Sequence, residues 1–188
     1  MKIGIAGGIG SGKSYVSQKI REYGYEVYDC DDAAKHLIIT SPDIRRELTS
    51  LIGPDTYNAD GSLNKRAVAD FLLASEANAK AINDIVHPAV FRDFEESGML
   101  LMESAIMFES GIYQLVDRVV AVVAPKEVRI QRVMKRDQIS REKVLDWMNR
   151  QMSQKELIHK ADYVIVNDGQ ADLDKQLKKI IEQCNKPF

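Results

Sequence analysis

Gly7, Gly12, Lys13 and Ser14 stand in the spacing G-x-x-x-x-G-K-S, the pattern of a loop that wraps a phosphate group. Glycines at positions 7, 8, 10 and 12 let the backbone turn successive N–H groups toward one anion. Lys13 supplies a charge for the β- and γ-phosphates of a nucleoside triphosphate, and Ser14 a hydroxyl for Mg²⁺. The pattern reads as triphosphate binding. By itself it does not separate a kinase from an ATPase or a nucleotide switch.

A second group of reactive residues lies in "VYDCDDAAKH", Val27 to His36. Read as an extended chain, the segment puts Asp29 and Asp31 on the same side. A phosphoryl-transfer enzyme needs one carboxylate to accept or orient the proton of the acceptor hydroxyl. It needs another acceptor for the water around Mg²⁺. Asp31 is expected in the first role and Asp29 in the second. Asp32 is expected to cap the helix that follows.

Farther along, Arg129, Arg132 and Arg136 recur at i, i+3 and i+7, one face of a helix. Arg141 and Arg150 follow in the next helical segment. Arginines on a mobile flap can stabilise charge on a phosphoryl group in flight. The competing reading is an ordinary solvated face. Arg132 or Arg136 is expected to be functional. His87, in the pair His87-Pro88, fits either a ligand phosphate or a helix end. Glu109 fits either a place near Mg²⁺ or a solvent-facing one, and Trp147 is expected to pack.

These residues need a scaffold. Short apolar runs at Ile3–Ala6, Glu26–Asp29, Leu100–Ala105, Arg118–Val123 and Tyr163–Asn167 read as buried strands. The run "RVVAVVA" is nearly continuous in β-branched residues, as in a strand covered on both faces. Helical patterns separate the strands, which predicts an α/β fold: a five-stranded parallel sheet with helices on both faces. A helix from Ser14 to Tyr23 follows the loop, with Gly24 where a left-handed cap would end it. The last helix spans about Leu173 to Gln183, with Leu173, Leu177, Ile180 and Ile181 on one side.

One interval departs from this rhythm. Between Asp31 and Leu100 lie four helical segments, 43–52, 65–74, 76–86 and 88–96, with a turn-rich stretch "GPDTYNADGS" between the first two. A simple crossover needs only about a dozen residues. A helical insertion directly after the second strand is therefore expected. Ligands of open parallel sheets bind beyond the carboxyl ends of the strands, so an insertion there can cover a substrate.

The chain has 188 residues, 45% hydrophobic and 29% charged, with net charge −2. That charge gives no reason to expect a nucleic-acid partner. Cys30 and Cys184 are too few and too far apart for a disulfide scaffold. No segment is long and apolar enough to span a membrane, and the first strand begins too early for a signal peptide. A cytoplasmic protein is the default expectation, and its oligomeric state stays open.

Seven stretches in order, "GGIGSGKS", "DCDDAAKH", "ADGSLNKRAV", "INDIVHPAV", "AIMFESG", "RVMKRD" and "ADYVIVNDG", carry a family likeness. The sequence resembles the dephospho-coenzyme A kinases over nearly its whole length. The resemblance implies transfer of the γ-phosphate of ATP to the ribose 3′-hydroxyl of dephospho-CoA, the last step of coenzyme A synthesis, with Mg²⁺. It implies a P-loop nucleotide-binding core (residues 1–31, 98–128 and 160–188), a helical CoA-binding insertion (32–97) and a lid (129–159). Gly8, Gly10, Ser11, Gly12, Lys13, Ser14 and Tyr15 fall on the ATP loop. Asp31 falls on the base, and Lys35, Lys65 and His87 on the substrate region. Arg132 and Arg136 fall in the lid, and Asn167 and Gly169 on the loop expected near the adenine. Tyr15 stands in place of the family's usual threonine, Lys35 and Lys65 in place of arginines, Ala105 in place of a proline and Arg129 in place of a glutamine. Lysine keeps the charge but loses the two-pronged geometry of arginine.

Two other readings compete. One is another small-molecule kinase on the same core, acting on a nucleotide or on shikimate. The other is a nucleotide switch, for which a guanine-reading N-K-x-D motif is missing: Asn64-Lys65 is followed by Arg66-Ala67, and Asn185-Lys186 by Pro187-Phe188.

Overall fold

The computed structural model describes residues 1–184. Strand β1 (Ile3–Ala6) leads through the glycine loop into helix α1 (Lys13–Glu22), and β2 (Val27–Asp29) follows. Helices α2 (Cys30–Thr40), α3 (Pro42–Ile52), α4 (Lys65–Ala74) and α5 (Glu76–Ser97) come next. The chain then forms β3 (Leu101–Ser104), β4 (Arg118–Val123), α6 (Lys126–Asp137), α7 (Arg141–Asn149), α8 (Gln154–Lys160), β5 (Tyr163–Val166) and α9 (Leu173–Cys184). The chain divides into two compact units, one of Met1–Asp29 with Met99 onward, the other of Cys30–Gly98.

In the first unit the five strands are all parallel, in the order β2-β3-β1-β4-β5. The expected α/β class is borne out, and the strand limits fall within about a residue of those read from the sequence. β1 is the middle strand of that order, and its four residues are all buried. Ile3 and Ile5 point to one face and pack with Val120 and Val122 of β4, Val16 and Ile20 of α1, and Leu177 of α9. On the other face Gly4 leaves room for Met107 and Val116, whose atoms would lie 2.8–3.3 Å from a Cβ there. A satellite cluster of Ile130, Val133 and Val144 joins α6 to α7, with Trp147 packed against it, as expected for that residue. α1 ends as its sequence suggests: Gly24, at φ +87°, donates its N–H to the Arg21 carbonyl.

The second unit is helical, and two features differ from expectation. The segments 76–86 and 88–96 are one helix, α5, with Pro88 inside it. Ile82, Val86, Val90 and Phe94 form one unbroken buried stripe across the proline. A mid-helix proline costs roughly 3 kcal/mol, whereas burying each such side chain gains about 1.5–3 kcal/mol. Packing therefore wins, and Pro88 itself is exposed, so water can serve the carbonyl it leaves unpaired. The second difference concerns the aspartates. The chain turns helical at Cys30, so Asp31 and Asp32 both lie in the first turn of α2. The two-residue alternation of an extended chain therefore does not relate Asp31 to Asp29, and Asp32 is not the cap.

The stretch 53–62 is largely loop. A short 3₁₀ turn at Pro54–Thr56 and a bridge between Tyr57 and Leu63 close it. Arg45 holds it by stacking 4.0 Å over the Tyr57 ring and donating to the Gly61 carbonyl at 2.8 Å.

Candidate active site

Strand β1 delivers the loop of residues 7–12 at its carboxyl end. Gly10 and Gly12 adopt φ +77° and +88°, the left-handed region that any other residue enters at a cost. Gly12 caps α1, so Lys13 and Ser14 open a helix whose first N–H groups and dipole favour an anion. Tyr15, the next residue, is exposed. The Ser11 hydroxyl is buried and has no hydrogen-bond partner among the described residues.

One residue that sequence reading missed is Glu103, on β3. It is 5% exposed, and one carboxylate oxygen accepts from the Ser14 hydroxyl at 3.1 Å. Its other oxygen accepts from the Ser17 hydroxyl. In the sheet Glu103 is in register with Ile5 of β1 and with Asp29 of β2. Asp29 thus ends its strand at the level of this carboxylate. A glutamate inside "LLMES" was the only available signal. Buried carboxylates need partners, and these partners sit almost ninety residues earlier.

α6 carries its arginines along the loop. Arg132 donates to the Asn167 carbonyl at 2.9 Å, with longer contacts to the carbonyls of Gly10 and Ser11 at 3.5 and 3.4 Å. The Asn167 side chain is buried and donates to the Ser11 carbonyl at 3.0 Å. Arg136 instead makes two 2.7 Å bonds to the carboxylate of Asp137, and this pairing raises its pKa. Arg129, buried, donates to the Ile9 carbonyl at 2.9 Å. Arg141 grips Glu127 through two bonds of 2.7 and 2.8 Å, which hold that carboxyl down to about 2. Arg150 pairs with Asp146. Glu109 is exposed and accepts from the Met152 backbone N–H. Gly169, at φ +87°, follows Asp168, whose side chain accepts from the N–H groups of Gln170 and Ala171.

In the second unit, Asp31 lies exposed in the first turn of α2. Lys35 forms a 2.7 Å ion pair with Asp32, both exposed. Lys65 opens α4 behind its cap Asn64, whose side chain accepts from the Ala67 N–H. His87 is half-buried and stacks on Phe91 at 6.2 Å between ring centroids. Burial pushes its pKa down, with Asp84 opposing in part.

Taken together, the first unit holds a glycine loop shaped for phosphates, a lysine and a hydroxyl at its helix start, and a buried carboxylate behind that hydroxyl. The arrangement can bind a nucleoside triphosphate and orient its terminal phosphoryl group. Comparison with known proteins agrees. The family model described as Dephospho-CoA kinase matches residues 1–172. The dephospho-CoA kinase of Bacteroides fragilis is 40% identical over 188 residues, covering 96% of this chain and 91% of its own length. Among solved structures, TT1252 from Thermus thermophilus superposes with a TM-score of 0.85 at 32% identity, over 100% of this chain and 98% of its own. The dephospho-CoA kinase from Campylobacter jejuni shares the fold, with a TM-score of 0.67 at 20% identity over 98% of each chain. The chain belongs to the dephospho-CoA kinase family.

Proposed function

We propose that this kinase transfers the γ-phosphoryl group of ATP to the ribose 3′-hydroxyl of dephospho-CoA, with Asp31, Lys13, Arg132 and Arg136 carrying the chemistry. The observation that carries the reading is the loop itself. Its left-handed Gly10 and Gly12 and the start of α1 present N–H groups, Lys13 and Ser14 to one triphosphate. Gly8, Gly10, Ser11, Gly12, Lys13, Ser14 and Tyr15 bind the phosphates, and Asn167 and Gly169 border the adenine.

The acceptor hydroxyl gives its proton to Asp31, or is oriented by it, as the oxygen–phosphorus bond forms and the bond to ADP breaks. Lys13 offsets the charge on the β- and γ-phosphates. Arg132 and Arg136 add positive charge once the lid, residues 129–159, covers the site and excludes water. Lys35, Lys65 and His87 bind the acceptor within the insertion (32–97). Most of the rate comes from positioning and charge stabilisation.

The residues present fit Mg²⁺. Ser14 and Asp29 offer the hard oxygen donors this ion takes, and Glu103 orients the Ser14 hydroxyl. When bound, Mg²⁺ neutralises charge on the β- and γ-phosphate oxygens. Among the described residues no helix is long and apolar enough to cross a membrane, and dependence on ATP supports a cytoplasmic setting.

The test is ADP release from ATP and Mg²⁺ with and without dephospho-CoA, with the product weighed by mass spectrometry. Dephospho-CoA-dependent ADP release, with a product one phosphate heavier, is the expected result. ADP release indifferent to dephospho-CoA would overturn the assignment.

A further inference from the structure

The geometry points to Arg129 and Gln151 as a pair of positioning residues that grip the backbone on both sides of the Ile9 Cα and pre-form the phosphate loop for ATP. The inference rests on the ATP reading above and deepens it. Both polar backbone groups of Ile9 are taken by side chains. Its carbonyl accepts from Arg129 Nε at 2.9 Å, and its N–H donates to Gln151 Oε1 at 2.8 Å. The two partners come from α6 and from the turn after α7, more than a hundred residues along the chain.

Neighbouring glycines are fitted to this grip. A Cβ on Gly8 would lie 2.5 Å from Arg129 Nη2 and 3.3 Å from Gln151 Oε1. One on Gly10 would lie 2.5 Å from the Arg129 carbonyl and 2.9 Å from Val133 Cγ2. At Gly10 the clash is with the backbone of α6, so the loop can approach that helix there only because residue 10 lacks a Cβ; at Gly8 a Cβ would push on the end of the Arg129 side chain and disturb the grip itself. The glycines therefore serve the clamp as well as the ligand.

The physical logic follows from how such a loop binds. Its N–H groups turn toward the anion, so its carbonyls turn away from it. An outward carbonyl buried under a helix needs a donor. Arg129 supplies one for Ile9, and Arg132, one turn along the same face, reaches toward Gly10 and Ser11. A glycine-rich segment that is already ordered does not lose that freedom again when ATP arrives. Gln151 works from the other side: it holds the N–H of the Gly8–Ile9 peptide while Arg129 holds the carbonyl of the Ile9–Gly10 peptide, so two consecutive peptide planes are fixed. The cation at Arg129 is buried, with the Ile9 carbonyl as its hydrogen-bond acceptor, so its charge also sits behind the phosphate site.

The test uses the full-length enzyme with Gln151→Met and Arg129→Met, side chains of similar reach without the hydrogen-bonding groups. Amide exchange across residues 8–11 is followed without nucleotide, and steady-state kinetics are measured in both substrates. The expected result is faster exchange in the loop and a KM for ATP raised about tenfold. kcat at saturating ATP and KM for dephospho-CoA stay within about twofold, since neither depends on pre-forming the loop. Arg129 is buried, so Gln151→Met, at a half-buried position, carries the test if Arg129→Met fails to fold. Unchanged loop exchange together with an unchanged KM for ATP in Gln151→Met would overturn the clamp, as would a loss confined to kcat. A wild-type enzyme that releases no ADP in response to dephospho-CoA would instead overturn the substrate reading. The clamp would then be judged on loop exchange and on the ATP dissociation constant from calorimetry.

Discussion

The hydroxyl of Ser14 donates to the buried carboxylate of Glu103 at 3.1 Å. Because the same carboxylate also holds Ser17, the Ser14 side chain is steered from beneath rather than left to rotate. Loss of such a supporting group typically costs about 10–100-fold in metal affinity or activity. Glu103→Gln is expected to raise the Mg²⁺ concentration for half-maximal activity by about tenfold, with activity recovering at high Mg²⁺. A Mg²⁺ titration at fixed ATP checks this. Loss that Mg²⁺ does not relieve would assign Glu103 to the core alone.

Lys13→Ala and Asp31→Asn should fail in different ways. Removing a charge aimed at the phosphates lowers kcat about 10²–10³-fold. Removing a general base lowers it about 10²–10⁴-fold while substrate binding persists. Asp31 is exposed in a helix first turn, so the thermal midpoint of Asp31→Asn should stay within about 2 °C. Steady-state kinetics with a thermal scan separate these outcomes. Full activity in Asp31→Asn would remove the base assignment.

Pro88 offers a stability test that does not touch the chemistry of the loop. Pro88→Ala restores an N–H able to reach the Asp84 carbonyl and removes a cost of roughly 3 kcal/mol. About 0.4–1 kcal/mol is given back as the unfolded chain gains freedom. The net expectation is about 2 kcal/mol of added stability, read from urea unfolding. A lower unfolding midpoint would mean that the proline ring packs in a way its exposure does not suggest.

His87 sets a pH dependence with a defined sign. Burial pushes its pKa below the ordinary 6.5, so the unfolded chain binds a proton more readily than the folded one. Its contribution to stability is therefore complete above about pH 6.5 and is lost as pH falls from there toward the folded-state value. Urea midpoints at pH 5 and 7.5 should differ less in His87→Asn than in the wild type. An equal difference in both would place the pH dependence elsewhere.

The sheet was legible because its strands are short, apolar and rich in β-branched residues, and burial on two faces leaves few alternatives. The loop was legible because glycine, lysine and serine are each demanded by one ligand. α5 was not, since a proline is a strong local signal while the stripe that overrides it, Ile82 to Phe94, declares itself only once packed. Asp31 was misread geometrically for a related reason: three residues of strand give no warning that Cys30 already begins a helix. Glu103 and Gln151 were missed because their partners lie far away along the chain. A carboxylate in a strand and an amide after a helix acquire meaning only when the fold brings Ser14 and Ile9 to them.

The strand order has a consequence for synthesis. β1 is made first but sits in the middle of the sheet, and its two partners are Leu101–Ser104 and Arg118–Val123. Until those segments leave the ribosome, Ile3 and Ile5 have no sheet to join, while the helices of residues 30–98 can already close on one another through local contacts. Pairings this distant are slow to form, and unpaired strands invite aggregation. The helical unit should thus be the first part of the nascent chain to resist a protease. The nucleotide site, whose loop is made well before the strands that flank β1, should be among the last parts to become competent.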